Sequence, residues 1–364
     1  MRKTFFAGLV GSTGIVLLAL AACGGAAAEA EIITLQYSCI NRIFKPCQLV
    51  ESTFVPMVNE ATDGRVQIQV TSFPELGLAG PNTLRLVRNG SLGFTEVYAG
   101  YVAGDVPLLD IQILWGTVRD RDAKERAVLA AREEMDRIVS EATDGGIILV
   151  RNWYPSDNWL FSRQPLRTVE DFKGKKIRLH STALGDFIKG FDAEGQFVAA
   201  ADVYTALERG ILDGAFACTT CGIGLKWYEV TNYLVGPIPD RSHTWATVNR
   251  DEWDKIPADL QMILLEVSKE YEEINKGLRD QWEEEALATA QAQGMEIIEF
   301  SPEMRQAAWD VALNVIIPNW VKRSGDADGD KGMKAISLWN NYFGPHLGVK
   351  INADGSATEI PVAR

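Results

Sequence analysis

Between Asp171 and Phe216 the hydrophobic period alternates between that of a strand and that of a helix, and this alternation restricts the fold more than any other stretch. Lys173-Gly174 reads as a turn, Lys175 to Leu179 as a short strand, and Thr182 to Asp192 as a helix with Leu184, Phe187, Ile188 and Phe191 on one face. Gly195 to Ala199 reads as a second strand. Asp202 is placed to cap a helix that runs to Arg209 and closes at Gly210, after which Ile211 to Phe216 reads as a third strand. Strand, helix, strand, helix, strand builds a parallel sheet, whose ligands sit outside the C-terminal ends of the strands. Arg178 and the loop of residues 217–221 both fall at such ends. A guanidinium there can clamp a carboxylate through two parallel hydrogen bonds, although a lone basic residue beside a strand is more often a solvated edge charge.

Upstream the same rhythm recurs. Ile32 to Tyr37 and Val66 to Ser72 alternate as strands around a helix from Gln48 to Ala61, and Thr62-Asp63-Gly64 turns the chain between them. Pro81 to Asn89 reads as a helix, Gly93 to Val97 as a strand, Asp120 to Ala142 as a longer helix and Ile147 to Asn152 as a strand. The expected fold class is therefore α/β in two lobes, each a mixed sheet flanked by helices, with small ligands held between them. The lobes are expected to comprise residues 32–158 plus about 244–284, and residues 159–243 plus about 285–364.

The N-terminus reads as an export signal: Arg2-Lys3, an apolar run from Phe5 to Leu20, then Leu20-Ala21-Ala22-Cys23-Gly24. The Leu-Ala-Ala-Cys order resembles a lipobox, in which cleavage leaves Cys23 as a lipidated first residue, and residues 24–31 form a small-residue tether. An ordinary secretory signal with a chance Cys is the alternative. No later segment has about 18 consecutive apolar residues, so the mature chain is expected to be soluble apart from its anchor. The net charge of −13 becomes −15 once the two charges of Arg2 and Lys3 are removed. Such a surface disfavours nucleic acid, yet leaves room for an anion in a locally positive cleft.

Several motifs together resemble one family. Phe54-Val-Pro-Met-Val-Asn-Glu-Ala-Thr-Asp-Gly-Arg-Val66, Phe73-Pro-Glu-Leu-Gly77, Leu86-Val-Arg-Asn-Gly-Ser-Leu-Gly93, Asp171-Phe-Lys-Gly-Lys-Lys-Ile-Arg178, Asp202-Val-Tyr-Thr-Ala-Leu-Glu-Arg-Gly-Ile-Leu-Asp-Gly214 and Trp227-Tyr-Glu-Val230 stand in that order. Order and spacing are similar to those of the dicarboxylate-binding-protein-like solute-binding proteins of tripartite ATP-independent periplasmic (TRAP) transporters, over roughly residues 32–320. The resemblance implies a two-lobed periplasmic-binding-protein-like fold with a long helix spanning both lobes. It implies that the lobes close around an organic acid, that Arg178 pairs with the carboxylate, and that the closed form delivers the solute to separate membrane permease subunits. No cofactor, metal or catalytic residue is implied, and the chain is expected to be a monomer at the outer face of the cytoplasmic membrane or in the periplasm.

The resemblance also nominates further residues. Tyr98 follows the Gly93–Val97 strand, where a ligand-facing side chain is expected; the alternative is a core aromatic. Trp153 and Trp159 are candidate walls for a hydrophobic solute body, with plain core packing as the alternative. Arg163 corresponds to a second Arg before the Arg178 strand, though Gln164-Pro165 places it one residue early. Where relatives carry an Asn after Asp213-Gly214, this chain has Ala217, and the hydroxyls of Thr219 or Thr220 are candidates to replace the missing amide. Cys39 and Cys47, and Cys218 and Cys221, are expected to form two local disulfides that shape cleft loops; cross-loop pairing and a four-thiolate metal site are the alternatives.

Leu260, Leu264, Val267, Tyr271, Ile274 and Leu278 recur along a helix predicted from Pro257 to Gln293, which either packs on its own lobes or forms a dimerising coiled coil. Asp326-Ala-Asp-Gly-Asp330 opens like a calcium loop, but Lys331 and Ser337 occupy the Gly and Glu positions, so a polar turn is expected. The three His, at 180, 243 and 346, form no His-Glu-x-x-His, and neither a Gly-x-Ser-x-Gly nor a phosphate-cradling glycine loop occurs. Three function classes remain: a transport binding protein, a ligand sensor for a membrane receptor, and an exported redox protein or enzyme using Cys218 and Cys221.

Overall fold

A computed structural model describes residues 32–154 and 157–362. The predicted signal, Cys23 and the tether lie outside the described residues.

Among the described residues eleven strands form two sheets. In the first, β1 (Ile33–Cys39) lies parallel to β2 (Val66–Ser72) and β3 (Phe94–Val97), while β4 (Ile147–Trp153) joins through a later strand. In the second, β5 (Asp157–Ser162) pairs antiparallel with both β8 (Gly214–Cys218) and β9 (Tyr233–Pro239). β6 (Lys176–Leu179) runs parallel to β7 (Glu194–Phe197) and to β8. β10 (His243–Val248) returns to the first sheet, antiparallel to β3 and β4, and β11 (Glu296–Glu299) closes the second. The orders are β2-β1-β3-β10-β4 and β11-β9-β5-β8-β6-β7.

The chain therefore passes between the sheets after β4, after β9 and along the helix that precedes β11. The parallel β6, β7 and β8 are the expected strand-helix-strand-helix-strand unit, with helices Thr182–Gly190 and Val203–Glu208 as its crossovers. Asp202 makes no capping side-chain bond there, because a 3-10 turn from Ala200 to Asp202 enters the helix directly. The helix read over residues 120–142 is interrupted at Ala131 into Arg121–Ala130 and Arg132–Ala142.

Helix Ala258–Ala292 is 35 residues long, roughly 50 Å at the usual helical rise. Its first half buries Leu260, Leu264, Val267 and Tyr271 in the core under the first sheet, and its far end places Ala290 in a core under the second. Ile274 is exposed, so the apolar stripe stops at Tyr271 instead of continuing as a coiled-coil seam. Between the two apolar ends four of the buried positions are polar, Glu272, Asn275, Arg279 and Glu283, with Trp282 beside them. Each of the four reaches a partner elsewhere in the chain. Glu272 accepts from Arg132 and from the Trp153 indole, Asn275 from the Trp153 backbone, Arg279 donates to Glu125, and Glu283 accepts from Trp159 and Thr219. These bonds tie the helix to segments of both sheets, although Asn275 Nδ2, Arg279 Nη1 and Glu283 Oε2 remain buried without partners.

The C-terminal helices, assigned from sequence to the second lobe, pack against elements from both. Helix Pro302–Val311 meets Thr182–Gly190, whereas the turns near Trp339 and Gly344 meet Arg121–Ala130. Arg323 lies between Asp110, before β4, and Asp186, after β6. Residues 326–329 form a turn into helix Asp330–Leu338, and β12 (Val349–Ile351) pairs with β13 (Ala357–Glu359) as a separate hairpin.

Candidate functional site

The parallel strands point their C-terminal ends at one cavity between the sheets, whose free space, mouth included, is about 650 Å³. Ile40 and Phe44 after β1, and Tyr98 and Tyr101 after β3, form the wall on the first sheet. Arg178 and His180 on and after β6, Ala200 after β7, and Ala217, Cys218 and Cys221 around the end of β8 form the opposite wall, which Trp227 completes. Tyr154, Asp240 and Ser242 come from the two short crossovers, so the hinge is the floor.

Arg178 is 3% exposed. Its Nε donates to the Val198 carbonyl at 3.0 Å and its Nη1 to the Phe216 carbonyl at 2.9 Å. These two bonds, to the residue just past β7 and to β8, lock the guanidinium plane while leaving Nη2 and the second Nη1 hydrogen as a fork. Burial lowers the Arg178 pKa, with the neighbouring Tyr101 and Tyr98 opposing the shift. A buried cation lacking a carboxylate partner is what an anionic ligand would neutralise.

The two walls touch. The Tyr98 hydroxyl and His180 Nδ1 are 3.2 Å apart, so a side chain from the first sheet meets one from the second across the mouth. His180 is held well below its usual pKa by burial and then by the Arg178 charge, so it is neutral. His243 is likewise neutral, through burial and then Arg151 and Arg132. Tyr98 is pushed well above the usual phenol range, chiefly by burial. Arg178 is thus the one cation among the side chains lining this cavity.

The other candidates divide. Tyr98 and Ala217 line the cavity with Arg178. Trp153 does not: its indole donates to Glu272 at 3.0 Å and its ring packs edge-on against His243, one layer behind the floor. Trp159 and Thr219 are drawn to the long helix, where both donate to Glu283, at 3.2 and 2.6 Å. Arg163 is exposed beside Gly210, away from the cavity wall. Thr220 is buried with its hydroxyl 3.6 Å from Cys218 Sγ. Sequence reasoning passed over His180, Tyr101, Tyr154, Asp240 and His243. The one local signal for them was proximity, His180 two residues past Arg178 and Tyr101 one helical turn past Tyr98.

Both local disulfides are present, Cys39–Cys47 with Cα atoms 5.9 Å apart and Cys218–Cys221 at 5.1 Å. All four sulfurs are therefore engaged without a metal. The second bridge forms part of the cavity wall.

Residues 47–322 match the profile of the bacterial extracellular solute-binding proteins, family 7. This chain belongs to that family. Among curated relatives of this family 7 protein, the C4-dicarboxylate-binding periplasmic protein DctP of Rhodobacter capsulatus is 24% identical over 331 residues, 89% of this chain and 96% of the relative. An uncharacterised Salmonella typhimurium protein is 28% identical over 263 residues, 69% of this chain and 77% of its own. In fold, the family 7 protein is similar to a Bordetella pertussis extracytoplasmic solute receptor binding pyroglutamic acid, with a TM-score of 0.76, 17% identity, and coverage of 84% of this chain and 99% of the other. A Rhodoferax ferrireducens TRAP solute-binding protein with bound malonate gives 0.75 at 20% identity, covering 86% and 99%. The two-lobed fold and the resemblance to TRAP solute-binding proteins read from the sequence both hold. Among the described residues no helix is long and apolar enough to cross a membrane.

Proposed function

We propose that this family 7 protein captures an organic acid in the cavity between its lobes, with the Arg178 fork on the carboxylate, and releases it to TRAP-type permease subunits. The observation that carries the reading is the buried, plane-locked guanidinium of Arg178, the one cation in a cavity lined otherwise by neutral histidines, phenols, other uncharged side chains and the single carboxylate of Asp240. The similar proteins with bound malonate or pyroglutamate make acids the first ligands to try. The two cavity sulfurs, which a redox reading would use, are joined to each other, which favours a binding role. Lobe I would comprise residues 32–158 and about 244–284, and lobe II most of the remainder. Cleavage before Cys23 and its lipidation would tether a monomer at the outer face of the cytoplasmic membrane, a step read from Leu20-Ala-Ala-Cys23 alone.

The test is a thermal-shift screen of mono-, di- and aromatic carboxylates, because a ligand that binds only the folded form raises the melting temperature. At least one acid is expected to do so. Uniformly flat responses from folded, ligand-free protein would overturn the reading.

A further inference from the structure

Besides Arg178, the lining of the cavity carries one acidic side chain. Asp240, on the crossover from β9 to β10, is partly buried in the floor. Its Oδ1 accepts from the Arg241 backbone at 2.8 Å, and its Oδ2 accepts from the Ser242 hydroxyl at 2.9 Å and from Asn158 Nδ2 at 3.4 Å. A carboxylate offers about four acceptor positions, so three bonds leave one open on a residue that borders the cavity.

Two further ionisable groups are buried behind that lining. Glu96, buried behind the wall, accepts from the Ile40 backbone at 2.9 Å, from Tyr154 at 3.2 Å and from Thr244. The buried ammonium of Lys124 shares a smaller chamber with Asp240 and Asn158 and has no hydrogen-bond partner of its own. Burial raises the carboxyls of both Asp240 and Glu96, and the Lys124 charge opposes the rise at Asp240. Trp227 Nε1, a donor, and His243 Nδ1, whose role depends on the tautomer, are buried without partners on side chains that line the cavity.

We infer that Asp240 is a specificity-determining residue, and that the solute is a monocarboxylate which presents a hydroxyl or N–H group to Asp240 while Arg178 holds its carboxylate. The inference rests on the carboxylate reading of the same cavity. A second carboxylate in place of that donor would meet the Asp240 carboxylate inside a cavity of low dielectric. A plain apolar group there would leave the open Asp240 position without the donor it lost from water. Because Asp240 is on a crossover and Arg178 on β6, a solute that engages both ties the hinge to the second sheet.

Calorimetric affinities for pairs of acids matched in shape decide the matter: pyroglutamate against cyclopentanecarboxylate, lactate against propionate, mandelate against phenylacetate, with malonate and succinate as dicarboxylates. In the natural protein the donor-bearing member of the pair that fits is expected to bind at least about tenfold tighter than its partner and tighter than either dicarboxylate. In Asp240→Asn that ratio is expected to shrink by about tenfold while dicarboxylates gain. Equal affinity within every pair, a dicarboxylate as the tightest ligand, or an unchanged ratio in Asp240→Asn overturns the inference and leaves the carboxylate reading standing. If no acid binds at all, both fall. The selectivity of the natural protein decides even if the variant fails to fold.

Discussion

At the scale of single residues, Arg178 differs from the other basic side chains of this acidic chain in having its plane fixed by two backbone carbonyls, those of Val198 and Phe216. Lysine has one nitrogen and no fork, so it can neither satisfy both carbonyls nor present two parallel donors. Arg178→Lys is expected to weaken binding of whichever acid stabilises the natural protein by roughly 10- to 100-fold, the loss of one charge-assisted bond, measured by calorimetry. Equal affinity would remove Arg178 from the site. Trp153 and Trp159 teach the converse. Both are large aromatics near a crossover, and the sequence made them plausible walls, yet each has a donor that must be satisfied when buried. Glu272 and Glu283 on a helix more than a hundred positions later supply the acceptors, and that draws the indoles out of the cavity.

At the scale of elements, the long helix combines two roles that its sequence shows separately. The spacing of Leu260, Leu264, Val267 and Tyr271 was legible as a packed face, and the ends predicted at Pro257 and Gln293 coincide with the caps of Ala258–Ala292. The polar belt was not legible, because Glu272, Asn275, Arg279 and Glu283 look like a solvated face until their partners arrive from distant segments. Glu283 carries a measurable consequence. Burial is the main cause that lifts its carboxyl from 4.5 to about 7, with Asp157 adding to the rise, and the Thr219, Trp159 and Arg121 side chains opposing it. The folded form thus holds the proton more tightly than the unfolded form. Its contribution is neutral below pH about 4.5, turns destabilising as pH climbs from there toward 7, and stays constant above. Glu283→Gln is expected to remove this slope, so that the stability difference between variant and natural protein shifts in favour of the variant by on the order of 1–3 kcal/mol between pH 5 and pH 8. Parallel melting curves over that range would show that Glu283 does not titrate there.

At the scale of the whole molecule, the two walls of the cavity approach closely where Gly100 lies. A Cβ there would stand 2.6 Å from Tyr98 Cε1 and 2.8 Å from Ser181 Cβ, the first on its own lobe and the second on the other. Both separations are shorter than packed atoms tolerate. Gly100→Ala is expected to hold the lobes apart, raising the Kd of a stabilising acid by roughly tenfold or more, and to keep the scattering radius from contracting on addition of that acid. A normal Kd with normal contraction would show that the loops part without cost. What the sequence by itself determined is local in origin. Hydrophobic period, turn residues and motif order specify two α/β lobes, the parallel β6-β7-β8 unit and Arg178 at a strand end, because each depends on residues within a few tens of positions, whereas the two local disulfides were the first of several pairings left open until the structure joined them. Only the tertiary structure decided which side chains share the cavity. Tyr98 meets His180, Asp240 joins the floor through the hinge, and the C-terminal helices reach both lobes because the chain crosses between sheets three times. Such crossings bring together groups whose separation in sequence carries no period for a pattern to reveal.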